Sequence, residues 1–182
     1  MKKNNLCLLL ILCLFVVSSC KKDEPLILEL DDKVLWDNEY VKANTKFTEE
    51  QAVESLKSAV WFIDPTMCAY DNKQMVKIKS YRDENIYYKF YDKNIFKISY
   101  NEAKFDGQEF EYKVKGKHLT MRRALRDIFG NVYSEYTIQL DIVGIGMNFI
   151  IVESNGIDSD IRREHPELNE DNAKTRGIWW KR

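Results

Sequence analysis

From Val60 to Glu153 apolar and polar side chains alternate with a period of two, and turn-forming residues interrupt the alternation about every ten positions. The apolar-polar runs are Val60–Asp64, Met75–Tyr81, Ile86–Tyr91, Ile95–Tyr100, Glu109–Val114, His118–Leu125, Tyr133–Ile142 and Met147–Glu153. Between them lie Asp71-Asn72, Asp83-Glu84-Asn85, Asp92-Lys93-Asn94, Asp106-Gly107, Gly116, Gly130-Asn131 and Gly144 with Gly146. The alternation is cleanest in Phe110-Glu111-Tyr112-Lys113-Val114-Lys115, one face apolar and the other charged. This pattern predicts a mainly β fold: an antiparallel meander of about eight strands closed, or nearly closed, into a barrel. Just before it, Thr48-Glu49-Glu50-Gln51 is a capping box, and Ala52, Val53, Leu56 and Ala59 follow at helical spacing, which predicts one short helix over Glu49–Ser58. Beyond Ser154 the chain turns polar, with Pro166 opening a short helix through Lys174, before it ends in Gly177-Ile178-Trp179-Trp180-Lys181-Arg182.

The first twenty residues follow a different rule. Lys2 and Lys3 precede an unbroken apolar run, Leu6–Val17, and Ser18-Ser19 lead to Cys20. A basic start, a short apolar stretch and small residues before a break make up a cleaved export signal. Twelve apolar residues reach roughly 18 Å as a helix, short of a hydrocarbon core of about 30 Å. Val17-Ser18-Ser19-Cys20 resembles the lipobox of bacterial lipoproteins. The resemblance implies cleavage before Cys20, acylation of Cys20, and attachment to the outer membrane, facing either the periplasm or the exterior. Lys21-Lys22-Asp23-Glu24-Pro25 then reads as a tether, similar to the charged export signals of Bacteroides-type lipoproteins or a plain solvated spacer. Residues 26–46 either dock as an edge strand or stay loose. The expected organisation is therefore a signal over 1–19, an acylated cysteine and tether over 20–46, a β domain over 47–154, and a polar extension over 155–182.

Composition narrows the possible functions. Cleavage leaves 163 residues, one domain's worth. It takes Lys2 and Lys3 from 28 basic residues and none of the 29 acidic ones, leaving a net charge of −3. That balance gives no reason to expect nucleic acid. Cys7 and Cys13 leave with the signal and Cys20 is taken by lipid, so Cys68 stays as a lone thiol and no internal disulfide can form.

Between Leu56 and Ser154 the chain resembles the lipocalin-like domains of Bacteroides-type lipoproteins. The residues that carry this are a tryptophan on the first strand (Trp61), the Tyr87-Tyr88-Lys89-Phe90 strand, the spacing of Tyr112, Val114, Gly116 and Leu119, and the Tyr136–Leu140 strand. The resemblance implies a non-enzymatic binding module that holds a small apolar ligand or scaffolds an envelope partner. Trp61, Tyr88, Phe90, Phe110 and Tyr112 would line the pocket. Other inward candidates are Ile63, Phe96, Ile98, Val114, Leu119, Met121, Tyr136, Ile138, Leu140, Met147 and Phe149.

The sequence offers little for catalysis. His118 and His165 have no metal-ligand spacing, Cys68 has no histidine near it in sequence, and Glu109 and Glu111 share the wet face of one strand. Asp158-Ser159-Asp160 starts like a calcium loop, but the loop glycine and the closing glutamate are misplaced, so it reads as a solvated turn. No phosphate loop or nucleophile elbow is visible, which argues against an enzyme, and no cofactor or metal is expected. The remaining candidates are contact residues: the cluster Arg122, Arg123 and Arg126, and the terminal pair Trp179 and Trp180, which either folds back onto the sheet or anchors a partner. They suit the alternative reading, an immunity or inhibitor lipoprotein that captures a toxin or enzyme in the periplasm.

Overall fold

The computed structural model describes Val41 and residues 45–79, 85–101, 103–169 and 171–182. The signal, Cys20, nearly all of the tether, and Ser80 and Tyr81 of the second expected strand lie outside the described residues. Among the described residues, no helix is long and apolar enough to cross a membrane.

Helix α1 spans Glu49–Lys57 and begins with the reciprocal cap its sequence encodes. Thr48 Oγ1 accepts from the Gln51 amide at 3.3 Å, and Gln51 Oε1 accepts from the Thr48 amide at 2.8 Å. Its apolar side buries Ala52 and Leu56 completely. Three contacts fix it across one end of the sheet: Glu49 accepts from the Gly116 amide, the Leu56 carbonyl accepts from the Trp61 indole at 2.7 Å, and Lys57 meets Asp92 at 2.9 Å.

Nine antiparallel strands follow: β1 Val60–Tyr70, β2 Met75–Lys79, β3 Ile86–Tyr91, β4 Ile95–Tyr100, β5 Phe110–Lys115, β6 His118–Arg126, β7 Val132–Ile145, β8 Phe149–Asn155 and β9 Lys174–Lys181. β3 and β4 are joined by a single tight turn, Asp92–Asn94. Each of β3 to β9 pairs with the next, and β9 returns to β1, closing an eight-stranded barrel to which β2 is added. β1 serves two neighbours on one edge: Val60–Ile63 pair with β3, and Thr66–Tyr70 with β2. The switch lies at an irregularity between Ile63 and Met67 that contains Pro65. Proline has no amide to donate to a ladder, so a bulge is where a strand accommodates one. The β4–β5 seam is the shortest, with only Ile95–Glu111 and Phe96–Phe110 in register.

Two expectations change here. The polar extension expected over 155–182 contributes β9, the strand that closes the barrel, so the β domain does not end at Ser154. The helix expected from Pro166 lies earlier, as α2 over Ser159–Glu164, because Asp158 caps it by accepting from the Asp160 and Ile161 amides and Ile161 buries beneath it. Ile161 and Leu168 pack with Ala69 and Ile78 in a satellite cluster at the end of the barrel opposite α1.

Candidate functional site

An eight-stranded barrel is just wide enough for side chains to fill it or for one small ligand to replace some of them. At the α1 end the side chains fill it. Trp61, Phe90, Phe96, Leu119, Met121, Ile142, Ile150 and Trp179 are each at most 3% exposed. Phe90 stacks between Phe96 at 5.7 Å and Trp179 at 6.0 Å, and meets Tyr112 edge-on at 5.0 Å. Tyr88 meets Trp179 edge-on at 5.2 Å. Trp61, Tyr88, Phe90, Phe110 and Tyr112, expected to line a pocket, are thus brought to one inner face and packed within one core. Burial pushes the Tyr112 hydroxyl above its usual range, and it donates to the Tyr91 carbonyl.

Trp179, a candidate contact residue, belongs to this core and is not available to a partner. Trp180 points the other way, half-buried against Phe149, with its indole N–H donating to Asp64 at 2.9 Å. The inward expectation also shifts by one residue on β8: Ile150 and Val152 enter the core, while Phe149 faces outward with Trp180. Met147 is 89% exposed in the β7–β8 turn. Tyr136 keeps its inner-face phase but is 53% exposed, because β6 and β7 run on past the barrel.

The upper mouth, away from α1, is where the arginines lie. Strand alternation separates them. Arg122 faces outward, holding Glu135 through Nε at 2.7 Å and Nη2 at 2.9 Å, with Glu111 beside it. Arg126 donates to the Gly130 carbonyl at 2.9 Å. Arg123 shares the inner-face phase of Leu119, Met121 and Leu125. Its guanidinium lies 5.3 Å over the Phe110 ring, and Nη2 approaches the Tyr100 hydroxyl at 3.4 Å. Its Nε is buried with no hydrogen-bond partner among the described residues.

A second polar constellation, which sequence reading missed, lies on the outer face where β8, β9 and β1 meet. Glu153 and Arg176 are 6% and 5% exposed and sit opposite each other in register, and Cys68 is the next partner of Arg176. Lys174 donates to Glu153 Oε1 at 2.8 Å, Arg176 Nε to Oε2 at 3.2 Å, and the Tyr70 hydroxyl also donates to Oε2. The Arg176 guanidinium stacks on the Tyr70 ring at 4.8 Å. Burial alone would push the Glu153 carboxyl up, yet the Lys174 and Tyr70 hydrogen bonds and the Arg176 charge hold it below the usual carboxylate range. Burial pushes Tyr70 well up, and Cys68 to about 11, so this thiol is an inert core group. Beside the network runs a groove of about 330 Å³, lined by Thr120, Gln139, Asp141 and Asn155, with His118 hydrogen-bonded to Asp141 at its rim. Tyr70 and Arg176 are 106 positions apart, so only the strand pairing brings the network together. No family model, curated protein or solved structure matches the chain.

Proposed function

We propose that the chain is a lipid-anchored, non-enzymatic binding protein of the cell envelope, acylated at Cys20, and akin to the lipocalin-like lipoproteins of the Bacteroides group. In this reading the upper mouth of the barrel takes a small apolar molecule bearing an acidic group. The Lys2–Cys20 leader supports the anchor and the location. The closed barrel suits a binding module.

The ligand class rests on Arg123. A cationic group with a buried N–H that no described residue accepts costs roughly 1–3 kcal/mol or more, and an entering carboxylate or phosphate would offset that cost. Tyr100 stands beside it as a second donor, while Phe110, Leu125 and Tyr136 offer apolar surface. Calorimetric titration of the chain with a long-chain fatty acid and with the matching alcohol tests this. The acid binds at least tenfold tighter, and Arg123→Leu abolishes the difference, since one charge-assisted hydrogen bond contributes about 1.5–3 kcal/mol. Equal affinity for acid and alcohol, or binding of neither, refutes the ligand class. Cys20→Ala tests the anchor separately: a variant that is processed and fractionates with membranes like wild type refutes acylation.

A further inference from the structure

Above the Glu111–Arg122 pair no residue of β5 is in register with β6, and β6 and β7 continue as a two-stranded ribbon to a turn at Asp127–Asn131. Asp127 builds that turn. Its backbone bonds with Asn131 and Gly130, Oδ1 accepts from the Phe129 and Asn131 amides, and Oδ2 accepts from the Asn131 side chain. Gly130 supplies the left-handed corner at φ +86°. The carboxylate is consumed by the loop, and Ile128 and Phe129 are held out in water at 93% and 82% exposure. A folded chain gains nothing by fixing two large apolar side chains in solvent at a turn, where polar residues serve as well.

We infer that this tip inserts into the surface of a lipid bilayer. The order of residues along the ribbon follows the depth profile of a membrane interface. Ile128 and Phe129 lead. Arg126, Val132 and Tyr133 come next, within roughly 7–13 Å at about 3.3 Å per residue, and the Arg122–Glu135 ion pair lies behind them. Apolar groups that enter an interface reach about 5–10 Å deep, with tyrosine and arginine favoured at headgroup level. Asp127, held ionised by its amide donors, and Arg126 carry opposite charges beside the tip, and Glu135 is paired with Arg122, so the two apolar side chains supply the attraction. A protein partner fits less well. A stable interface needs about 800 Å² from each side, whereas one phenylalanine of roughly 150–250 Å² and one isoleucine on a convex turn supply far less.

This inference goes beyond the proposed function and does not depend on acylation, so it is tested without the lipid. Every described strand pairing lies within the unit Asp32–Arg182, so a chain starting at Lys21 keeps the barrel whole. Phe129→Cys is labelled with a nitrobenzoxadiazole dye; buried Cys68 does not compete. Mixing with vesicles of phosphatidylethanolamine and phosphatidylglycerol brightens the emission and shifts it to the blue. The same dye at Lys113→Cys, on the exposed face of β5, does not respond. Ile128→Ser with Phe129→Ser, two exposed changes outside the core, weakens co-sedimentation of the unlabelled chain with the vesicles at least about tenfold. An unchanged emission at position 129, an equal response at position 113, or a double variant that sediments like wild type overturns the inference.

Discussion

Replacing Glu153 by glutamine keeps the shape of the side chain and removes its charge. In the wild type that carboxylate accepts from Lys174, Tyr70 and Arg176, and Arg176 is 5% exposed. The variant therefore takes the Glu153 charge away from a buried guanidinium, and breaking such a buried pair costs about 3–5 kcal/mol. For a domain of this size the midpoint of thermal unfolding falls by roughly 10–15 °C. Urea unfolding followed by tryptophan fluorescence measures the loss directly, because Trp61 and Trp179 report on the core. Sign and pH window follow from the carboxyl's depressed folded-state value. Its contribution is complete above the ordinary value of 4.5 and is lost as pH falls through the lower folded value. The gap between wild type and Glu153→Gln is thus constant from pH 6 to 8 and narrows below about pH 4.5. Arg176→Met in the Glu153→Gln background recovers at least half of the loss, since the buried charge that lost Glu153 is gone and methionine still covers the Tyr70 ring. A loss under about 1 kcal/mol, or strictly additive single variants, refutes the reasoning.

Other consequences are simpler to measure. Trp179→Ala empties a site packed against Tyr88 and Phe90 and lowers unfolding free energy by about 3–5 kcal/mol in the same assay, whereas Trp180→Ala, half-buried on the outer face, costs less than half of that. Gly146→Ala would place a methyl 2.2 Å from the Phe149 ring and costs about 1–3 kcal/mol, while Gly107→Ala, with nothing within 4 Å, is near neutral by thermal melting. Cys68 stays unmodified by a thiol reagent at pH 8 until urea unfolds the chain. Its raised value also means that its contribution to stability is intact below about pH 9 and is lost as pH climbs towards 11.

The strands legible in the sequence are those with one wet face. On β5 Glu111, Lys113 and Lys115 alternate with Phe110, Tyr112 and Val114, and the structure repeats that alternation residue by residue as exposed and buried. The α1 cap was legible for a similar reason: it is made within four consecutive residues. The closing strand was not. Along β9 the outer face carries Lys174, Arg176, Ile178 and Trp180, and the inner face Thr175, Gly177 and Trp179. Charge, ring and glycine occur without a period because this strand is covered on both sides: Ile178 and Arg176 are as buried outside as Trp179 is inside. On β8 a run of four apolar residues, Phe149–Val152, hides its phase in the same way, so the pattern alone does not separate inward Ile150 from outward Phe149. The seam β8–β9–β1 is thus where periodicity fails and where the Glu153–Arg176 network forms, and the two facts have one cause. A strand buried on both faces can place a charge outward only if a neighbouring strand supplies its partner, and such a partner is set by register across the barrel, which no local pattern records.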